Sequence, residues 1–270
     1  EFKCGGYKMK IGVVGLGVVG SACKFGFEKN GHTVRVHDIK LETTIKDVLD
    51  TEITFICVPT PEASDGSCDT SIVEGVVKEM LDYGYSGHLV VKSTVEPGTT
   101  DRLSNQFDTD ISFVPEFLRE RCAITDFTEN HDVCLIGSTT DSSYNKIKEA
   151  HGRLPDKFVR LTPCEAEFAK YFNNVYNATL VVFANSFYEV CKKCNVNYTS
   201  IKNAIVNRKH ISDNYLECND NFRGFGGMCL PKDTAALAKI CEDLPVRFFD
   251  SLLEENKKYK TTVFDGMRKE

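Results

Sequence analysis

At 270 residues and 41% hydrophobic content, the chain is long enough for one large domain or two ordinary ones, each with its own core. A formal net charge of -6 and a pI near 5.6 argue against nucleic acid or an anionic membrane as the main partner. No apolar run reaches membrane-spanning length and no signal-peptide core is present near the N-terminus, so the sequence reads as soluble and intracellular.

Cysteine usage points the same way. Twelve cysteines scattered through a chain of this length suggest reduced thiols in a reducing compartment, the cytoplasm. Cys191 and Cys194 form the one C-x-x-C, inside a helical pattern and without a second pair, and read as helix packing; no metal is expected. The first eight residues, EFKCGGYK, precede Met9 and read as a cloning remnant or a frayed tail.

From Met9, MKIGVVG predicts a short buried strand. It opens into Gly15-Leu16-Gly17-Val18-Val19-Gly20 and a helix that stops at Asn30-Gly31. The next strand, TVRVHD, ends on Asp38, 18 residues beyond Gly20. A lone G-x-G-x-x-G is weak, but here strand, helix and acid fall where a dinucleotide-binding unit needs them. The glycines let a pyrophosphate sit on the helix N-terminus, and Asp38 accepts from the adenosine ribose hydroxyls. An acid at that place repels a 2′-phosphate, which favours NAD over NADP.

Alternation continues with strands at ITFICVP (53–59), HLVVKST (88–94), ISFVPEF, VCLIG and FVRLT. Helices fall at 71–83, 99–107 and 142–154. This order implies a Rossmann-like, doubly wound parallel sheet over 9–162, with ligands at the carboxyl ends of its strands. The polar residues past those ends are Pro59-Thr60-Pro61, Ser93-Thr94 and Glu116 to Glu120. Each has a plain alternative: the prolines shape a turn, Thr94 caps a helix, and Glu116 and Glu120 are simply solvated.

Pro163 begins a second, mostly helical domain, 163–270. Cys164 to Cys194 holds no proline or glycine, and apolar residues recur at helical spacing (Phe168, Phe172, Val175, Tyr176, Thr179, Val182, Phe183, Phe187, Val190). One continuous helix here would be about 46 Å long. Apolar positions around much of its circumference predict a homodimer through this half. Shorter helices are expected at 199–208, at 232–242 and near the C-terminus. Within the long helix, Lys170 and Asn174 are one turn apart. They read either as a snorkelling surface pair or as holders of an oxygen that gains charge in a reaction.

The run GFGGMCLPKD, Gly224 to Asp233, carries the sharpest chemical signal. Gly224, Gly226 and Gly227 permit a tight turn that delivers Cys229 just ahead of Lys232, Asp233 and a helix start. A thiol beside a cation at a helix start is expected to react as thiolate; the alternative is an ordinary buried cysteine in a glycine turn.

The runs GLGVVG, VPTP, VKSTVEPGTT, PEFLRE, EAEFAKYFNN and GFGGMCLPKD, in this order, resemble the UDP-glucose/GDP-mannose dehydrogenase family. That family oxidises a sugar-nucleotide alcohol to a carboxylate with two NAD, and the chain is most similar to the branch that makes UDP-glucuronate, a precursor for polysaccharide biosynthesis. The resemblance implies Cys229 as nucleophile, with Lys170, Asn174, Asp233, Thr94, Glu116 and Glu120 around the reacting carbon. It implies cofactor contacts from the glycine stretch, Asp38, Lys40, Val58, Pro59, Thr60, Ser93, Thr94 and Lys232. On the substrate side it implies Phe117, Leu118, Arg119, Glu120, Lys170, Asn174, Arg208, Phe225, Gly226 and Gly227, and it implies a homodimer.

Departures are visible too. Asn207-Arg208 stands where the family has Asp-Arg, and Val114 where Asn or Ser commonly precedes Pro-Glu-Phe. Family members carry a third, C-terminal domain over the nucleotide, whereas this sequence stops at Glu270, as a truncation, a site completed by a partner, or a short natural form. Two other readings stay open: a β-hydroxyacid dehydrogenase-like enzyme making one hydride transfer without cysteine, and a catalytically idle NAD-binding subunit.

Overall fold

The computed structural model describes residues 7–259; most of the EFKCGGYK leader and the last eleven residues of the expected second domain lie outside them. It divides into two compact units, one comprising residues up to Pro61 with Asp69–Lys170, the other Glu62–Cys68 with the chain from Tyr171 onward. The division falls within the long helix rather than at its start.

The first unit holds β1 (Lys10–Val14), α1 (Val18–Lys29), β2 (Thr33–His37), β3 (Ile53–Ile56), α2 (Ser71–Asp82), β4 (His88–Val91), α3 (Thr99–Phe107), β5 (Ile111–Phe113), α4 (Ala123–Thr128), β6 (Cys134–Gly137), α5 (Asp141–His151) and β7 (Phe158–Leu161). The strands form one sheet in the order β2-β1-β3-β4-β5-β6-β7. Alternation along the strands explains how both faces are covered. Ile11, Val13, Ile53, Phe55 and Val90 point into one core with Ala22 and Phe27 of α1, Phe127 of α4 and Ile147 of α5. Val14, Ile56, Leu89 and Val91 point into the other, with Val73, Val77 and Met80 of α2 and Leu103 of α3. Strands buried on both faces read as near-continuous apolar runs, which is why β1, β3 and β4 were legible.

The expected all-parallel sheet needs one correction. The strands from β2 to β5 are parallel, but β6 meets β5 antiparallel, through Phe113 and Gly137, and β7 is parallel to β6. The sole α-helix in the connecting segment, α4, has six residues and is about 9 Å long, too short to carry the chain back across the sheet. The chain therefore re-enters from the end at which it left. The order reverses at β1, where the chain leaves to β2 on one side and returns to β3 on the other, so a crevice lies beyond the carboxyl ends of β1 and β3.

α6 spans Pro163–Lys193, 31 residues without a break. Beyond Tyr171 come α7 (Tyr198–Ile205), α8 (Leu230–Ile240) and α9 (Phe248–Asn256). In the second unit Val175, Ala178 and Val182 of α6 pack with Phe225, Leu237 of α8 and Leu252 of α9. A further cluster gathers Ala184, Cys191, Tyr198, Leu216 and Cys218. Cys191 is buried in it while Cys194, just past the helix, is exposed.

Candidate active site

The dinucleotide-binding features of the first unit explain three glycines in three different ways. Gly15 follows β1 with φ +89°, and a side chain there would lie 2.8 Å from the Cys57 carbonyl oxygen. At Gly20 a Cβ would fall 1.8 Å from the Gly15 carbonyl oxygen, so turn and helix close on each other only without it. Gly17 is different: a Cβ there meets nothing within 4 Å. No protein packing demands a glycine at this position, and its bare surface suits the close approach of a ligand. Gly17 is also the N-cap of α1, which has no side-chain cap and no acidic residue in its first turn. Helix amides without a side-chain cap are a ready anion site. Val18 is exposed and Val19 half-buried beside it.

Asp38 follows β2 directly. One carboxylate oxygen accepts from the Leu16 N–H at 2.6 Å and the other from the Lys40 N–H at 2.8 Å. These bonds, the Leu16 one foremost, hold its acid below the ordinary aspartate range. Each oxygen keeps a lone pair for a ribose hydroxyl. Lys40 itself is exposed. On the other side of the crevice the Ser93 hydroxyl donates to the Val58 carbonyl at 2.6 Å, tying the loop of Val58, Pro59 and Thr60 to the end of β4. Thr94 is half-buried just beyond. Open glycine, uncapped helix and ionised acid together fit a dinucleotide.

The PEFLRE segment is built around an ion pair that sequence reasoning missed. Lys92, at the end of β4, is 3.0 Å from the Glu116 carboxylate, and the two side chains are 1% and 8% exposed. Burial pushes the lysine's proton affinity down, but Glu116 more than offsets this and the ammonium ends above its usual range. The other Glu116 oxygen accepts from the Phe117 N–H at 3.0 Å. The Glu116 backbone carbonyl accepts from Nζ of Lys170, whose ammonium also lies 5.6 Å from the Phe117 ring centre. Glu116 thus faces inward, whereas Glu120 is exposed in a turn of 3-10 helix, so these two carboxylates have different surroundings. Leu118 packs against the sheet core. Arg119 forks onto Asp126 of α4 at 2.9 and 2.7 Å, an acid the sequence did not flag, whose proton affinity it strongly lowers.

In the second unit the glycine run delivers Cys229 as the exposed N-cap of α8. Gly224 and Gly227 adopt φ +66° and +81°, which only glycine takes without strain. Two asparagines hold this run. Asn185 of α6 accepts from Gly224 N–H at 3.2 Å and Arg223 Nε at 2.7 Å. Asn256 of α9 brackets buried Phe225, accepting from its N–H at 2.8 Å and donating to its carbonyl at 2.9 Å.

After Cys229, buried Asp233 accepts from Asn174 Nδ2 at 2.6 Å and from Lys232 Nζ at 2.7 Å, and Asn173 Nδ2 donates to the Asn174 side-chain Oδ1 at 3.0 Å. Burial lowers the Lys232 ammonium's proton affinity; Asp233, with Cys68 and Cys229, reverses that and raises it. Gly226 is half-buried in the run, and Arg208 is exposed beyond α7. The run thus places an exposed thiol at the start of α8, four residues before a carboxylate bonded to the Asn174 amide and the Lys232 ammonium.

Comparison with known proteins identifies the family. The model of the UDP-glucose/GDP-mannose dehydrogenase family NAD binding domain matches residues 38–154, and that of the family's central domain matches 164–258. The chain belongs to the UDP-glucose/GDP-mannose dehydrogenase family, and NAD is its cofactor. UDP-glucose 6-dehydrogenase AglM of Haloferax volcanii is 29% identical over 314 residues, 96% of this chain and 72% of the relative. GDP-mannose 6-dehydrogenase of Pseudomonas aeruginosa is 28% identical over 95% of this chain and 70% of its own. A UDP-glucose dehydrogenase structure from Pyrobaculum islandicum superposes with a TM-score of 0.87 at 27% identity, covering 96% of this chain and 70% of that one. The Mycobacterium tuberculosis 3-hydroxyisobutyrate dehydrogenase shares the fold, with a TM-score of 0.74 at 14% identity over 93% of this chain and 94% of that one.

Proposed function

We propose that the chain carries out NAD-dependent, two-step oxidation of UDP-glucose to UDP-glucuronate through a covalent intermediate on Cys229. The observation behind this is the bonded array Asn174–Asp233–Lys232 beside an exposed thiol at a helix start. UDP-glucose is the substrate taken for this reading because UDP-glucose 6-dehydrogenase AglM is 29% identical over 96% of this chain, and GDP-mannose, the substrate named for a relative 28% identical over 95%, is the competing substrate to assay beside it.

NAD, when bound, accepts the hydride of each oxidation. In the proposed mechanism the first oxidation leaves an aldehyde. The Cys229 thiolate adds to its carbon: a C–S bond forms and the carbonyl electron pair moves onto oxygen, where the Lys170 ammonium and the Asn174 amide stabilise it. After the second oxidation the adduct is a thioester. Water then attacks the same carbon, the C–S bond breaks, and the thiolate leaves. Asp233 or Glu120 takes the water's proton, with Thr94 orienting the water. Phe117, Leu118, Arg119, Arg208, Phe225, Gly226 and Gly227 would line the sugar-nucleotide path.

A second copy of the chain is the proposed partner. Phe168, Phe172, Tyr176, Phe183, Phe187 and Val190 of α6 are all exposed, Phe172 by 75%, and recur at helical spacing as one apolar stripe. The reaction is assigned to the cytoplasm, where free thiols persist.

The test is to supply UDP-glucose with excess NAD and count NADH. Two NADH per sugar is expected, and Cys229→Ser should abolish acid formation while NAD binding survives. One NADH per sugar, with the serine variant unimpaired, would favour the single-hydride reading that the shared fold with 3-hydroxyisobutyrate dehydrogenase motivates.

A further inference from the structure

Resting on that reading, we infer that Glu167 is a positioning residue, which ties the turn of α6 that leads to Lys170 to the loop that carries Thr94. All of these residues belong to the first unit. Glu167 is fully buried, three residues before Lys170 on α6. One of its carboxylate oxygens accepts from the Gly98 N–H at 2.5 Å and the other from the Thr100 N–H at 2.8 Å. These amides open α3, whose N-cap is Gly98 and which has no side-chain cap.

Both ends of this link are stiff. Gly98, at φ +91°, follows Pro97 in a turn closed by the Thr99 N–H on the Glu96 carbonyl at 3.0 Å, the residue pattern of a type II turn. Val95, between that turn and Thr94, is 0% exposed in the sheet core. On the other side Ala166 is buried, and a Cβ on Gly137 of β6 would lie 2.8 Å from the Ala166 Cβ and from the Pro163 Cα. The start of α6 is therefore seated on the sheet, and Glu167 passes position on to the Lys170 ammonium, which donates to the Glu116 carbonyl.

Capping alone does not account for this residue. A serine, threonine or aspartate at the N-cap satisfies a helix start without burying a charge, as Thr140 does for α5. α3 instead takes its cap from 69 residues away, on the helix that bears Lys170. The titratable groups facing the carboxylate, Asp101 of α3 and the Cys164 thiol of α6, are both acids. Burial raises the Glu167 acid above the ordinary glutamate range, against the pull of the Thr100 and Gly98 amides. Ionised, it only accepts, and so can serve both amides at once.

The test compares Glu167→Gln with Thr140→Ala. The glutamine keeps the shape but turns one acceptor into a donor that faces an amide N–H, whereas Thr140→Ala removes a helix cap in the same unit away from Lys170 and Thr94. With UDP-glucose and excess NAD, Glu167→Gln should lower kcat by about a hundredfold, the cost of a catalytic group displaced by about 1 Å, with NAD affinity unchanged. Thr140→Ala should keep the wild-type kcat. A second readout does not depend on turnover. Competitive acetylation by acetic anhydride, read by peptide mass spectrometry against exposed Lys78 of α2, should show Lys170 labelling faster in Glu167→Gln and at the wild-type ratio in Thr140→Ala.

A folded Glu167→Gln protein with wild-type kcat, or with unchanged Lys170 labelling, would overturn the inference. Equal losses of kcat in Glu167→Gln and Thr140→Ala would overturn it too, by making Glu167 a plain helix cap. Should the glutamine variant not fold, Glu167→Asp, which keeps the charge but is one methylene short of spanning both amides, takes its place in both assays. If neither folds, the residue serves the fold alone and the inference falls. If the wild-type chain makes no NADH, the proposed function is what has failed, and the Lys170 ratio still decides the link.

Discussion

The glycine turn allows a clean separation of folding from ligand binding, because its three glycines are needed for different reasons. Gly17→Ala adds a Cβ that meets nothing within 4 Å, at φ −70°, which any residue adopts. Stability should change by less than about 1 kcal/mol, because alanine's restriction of the unfolded chain is offset by its poorer fit at the N-cap of α1. The same Cβ stands where the pyrophosphate must approach, so NAD affinity should fall at least about tenfold, or about 1.4 kcal/mol. Gly15→Ala reverses the pattern. The left-handed backbone costs about 1–2 kcal/mol, and the 2.8 Å contact with the Cys57 carbonyl oxygen adds overpacking of about 1–3 kcal/mol. Gly20→Ala, at 1.8 Å from the Gly15 carbonyl oxygen, should be worse still. Urea denaturation and NAD titration on the three variants check this. A Gly17→Ala protein that lost more than about 1 kcal/mol, or bound NAD as tightly as wild type, would refute the assignment of Gly17 to the ligand.

Three further outcomes are expected. Burial of His88 depresses its pKa from 6.5 to about 4; the unfolded chain takes up the proton first as pH falls, so stability should drop between pH 6.5 and 4 by about 3 kcal/mol. Denaturation midpoints against pH should show this slope added to those of His131, His151 and His32, whose proton affinities burial also lowers, and His88→Gln should make it shallower by its own share only. Asp38→Ala should narrow the preference for NAD over NADP in paired titrations; tighter NADP binding by the wild-type chain would contradict the role given to Asp38. Phe172→Asp together with Phe183→Asp should convert a dimer to a monomer in analytical ultracentrifugation, while a wild-type mass already monomeric at micromolar concentration would remove the proposed partner.

How much was legible in the sequence depended on whether the signal was local. The strands from β1 to β5 and the full 31-residue span of α6 follow from apolar runs, helical spacing and an uninterrupted stretch without proline or glycine. The Gly15–Gly20 turn and Asp38 were legible because a strand, a helix start and an acid occur at set intervals. The direction of β6 was not, since strand polarity depends on how far the preceding connection travels. α4 was missed because six residues are too few to establish a period. Lys92 sat unnoticed inside VKSTV: a lysine at a strand end looks solvated until the fold buries it against Glu116. Asn185 and Asn256 escaped for a similar reason, as backbone-bracketing asparagines have no sequence signature of their own.

The two bonds of Asp38 to the Leu16 and Lys40 amides have a practical side for cofactor engineering. The residue proposed to discriminate between dinucleotides is also a latch on the phosphate turn, so most replacements alter both properties at once. A neutral replacement without an acceptor, chosen to admit a 2′-phosphate, would also release the Leu16 amide and loosen the turn proposed to receive the pyrophosphate. Variants selected for the new cofactor at this position should therefore arrive with weakened binding to both dinucleotides. Recovering affinity calls for a side chain such as asparagine, whose amide oxygen can still accept from Leu16 without carrying the repelling charge.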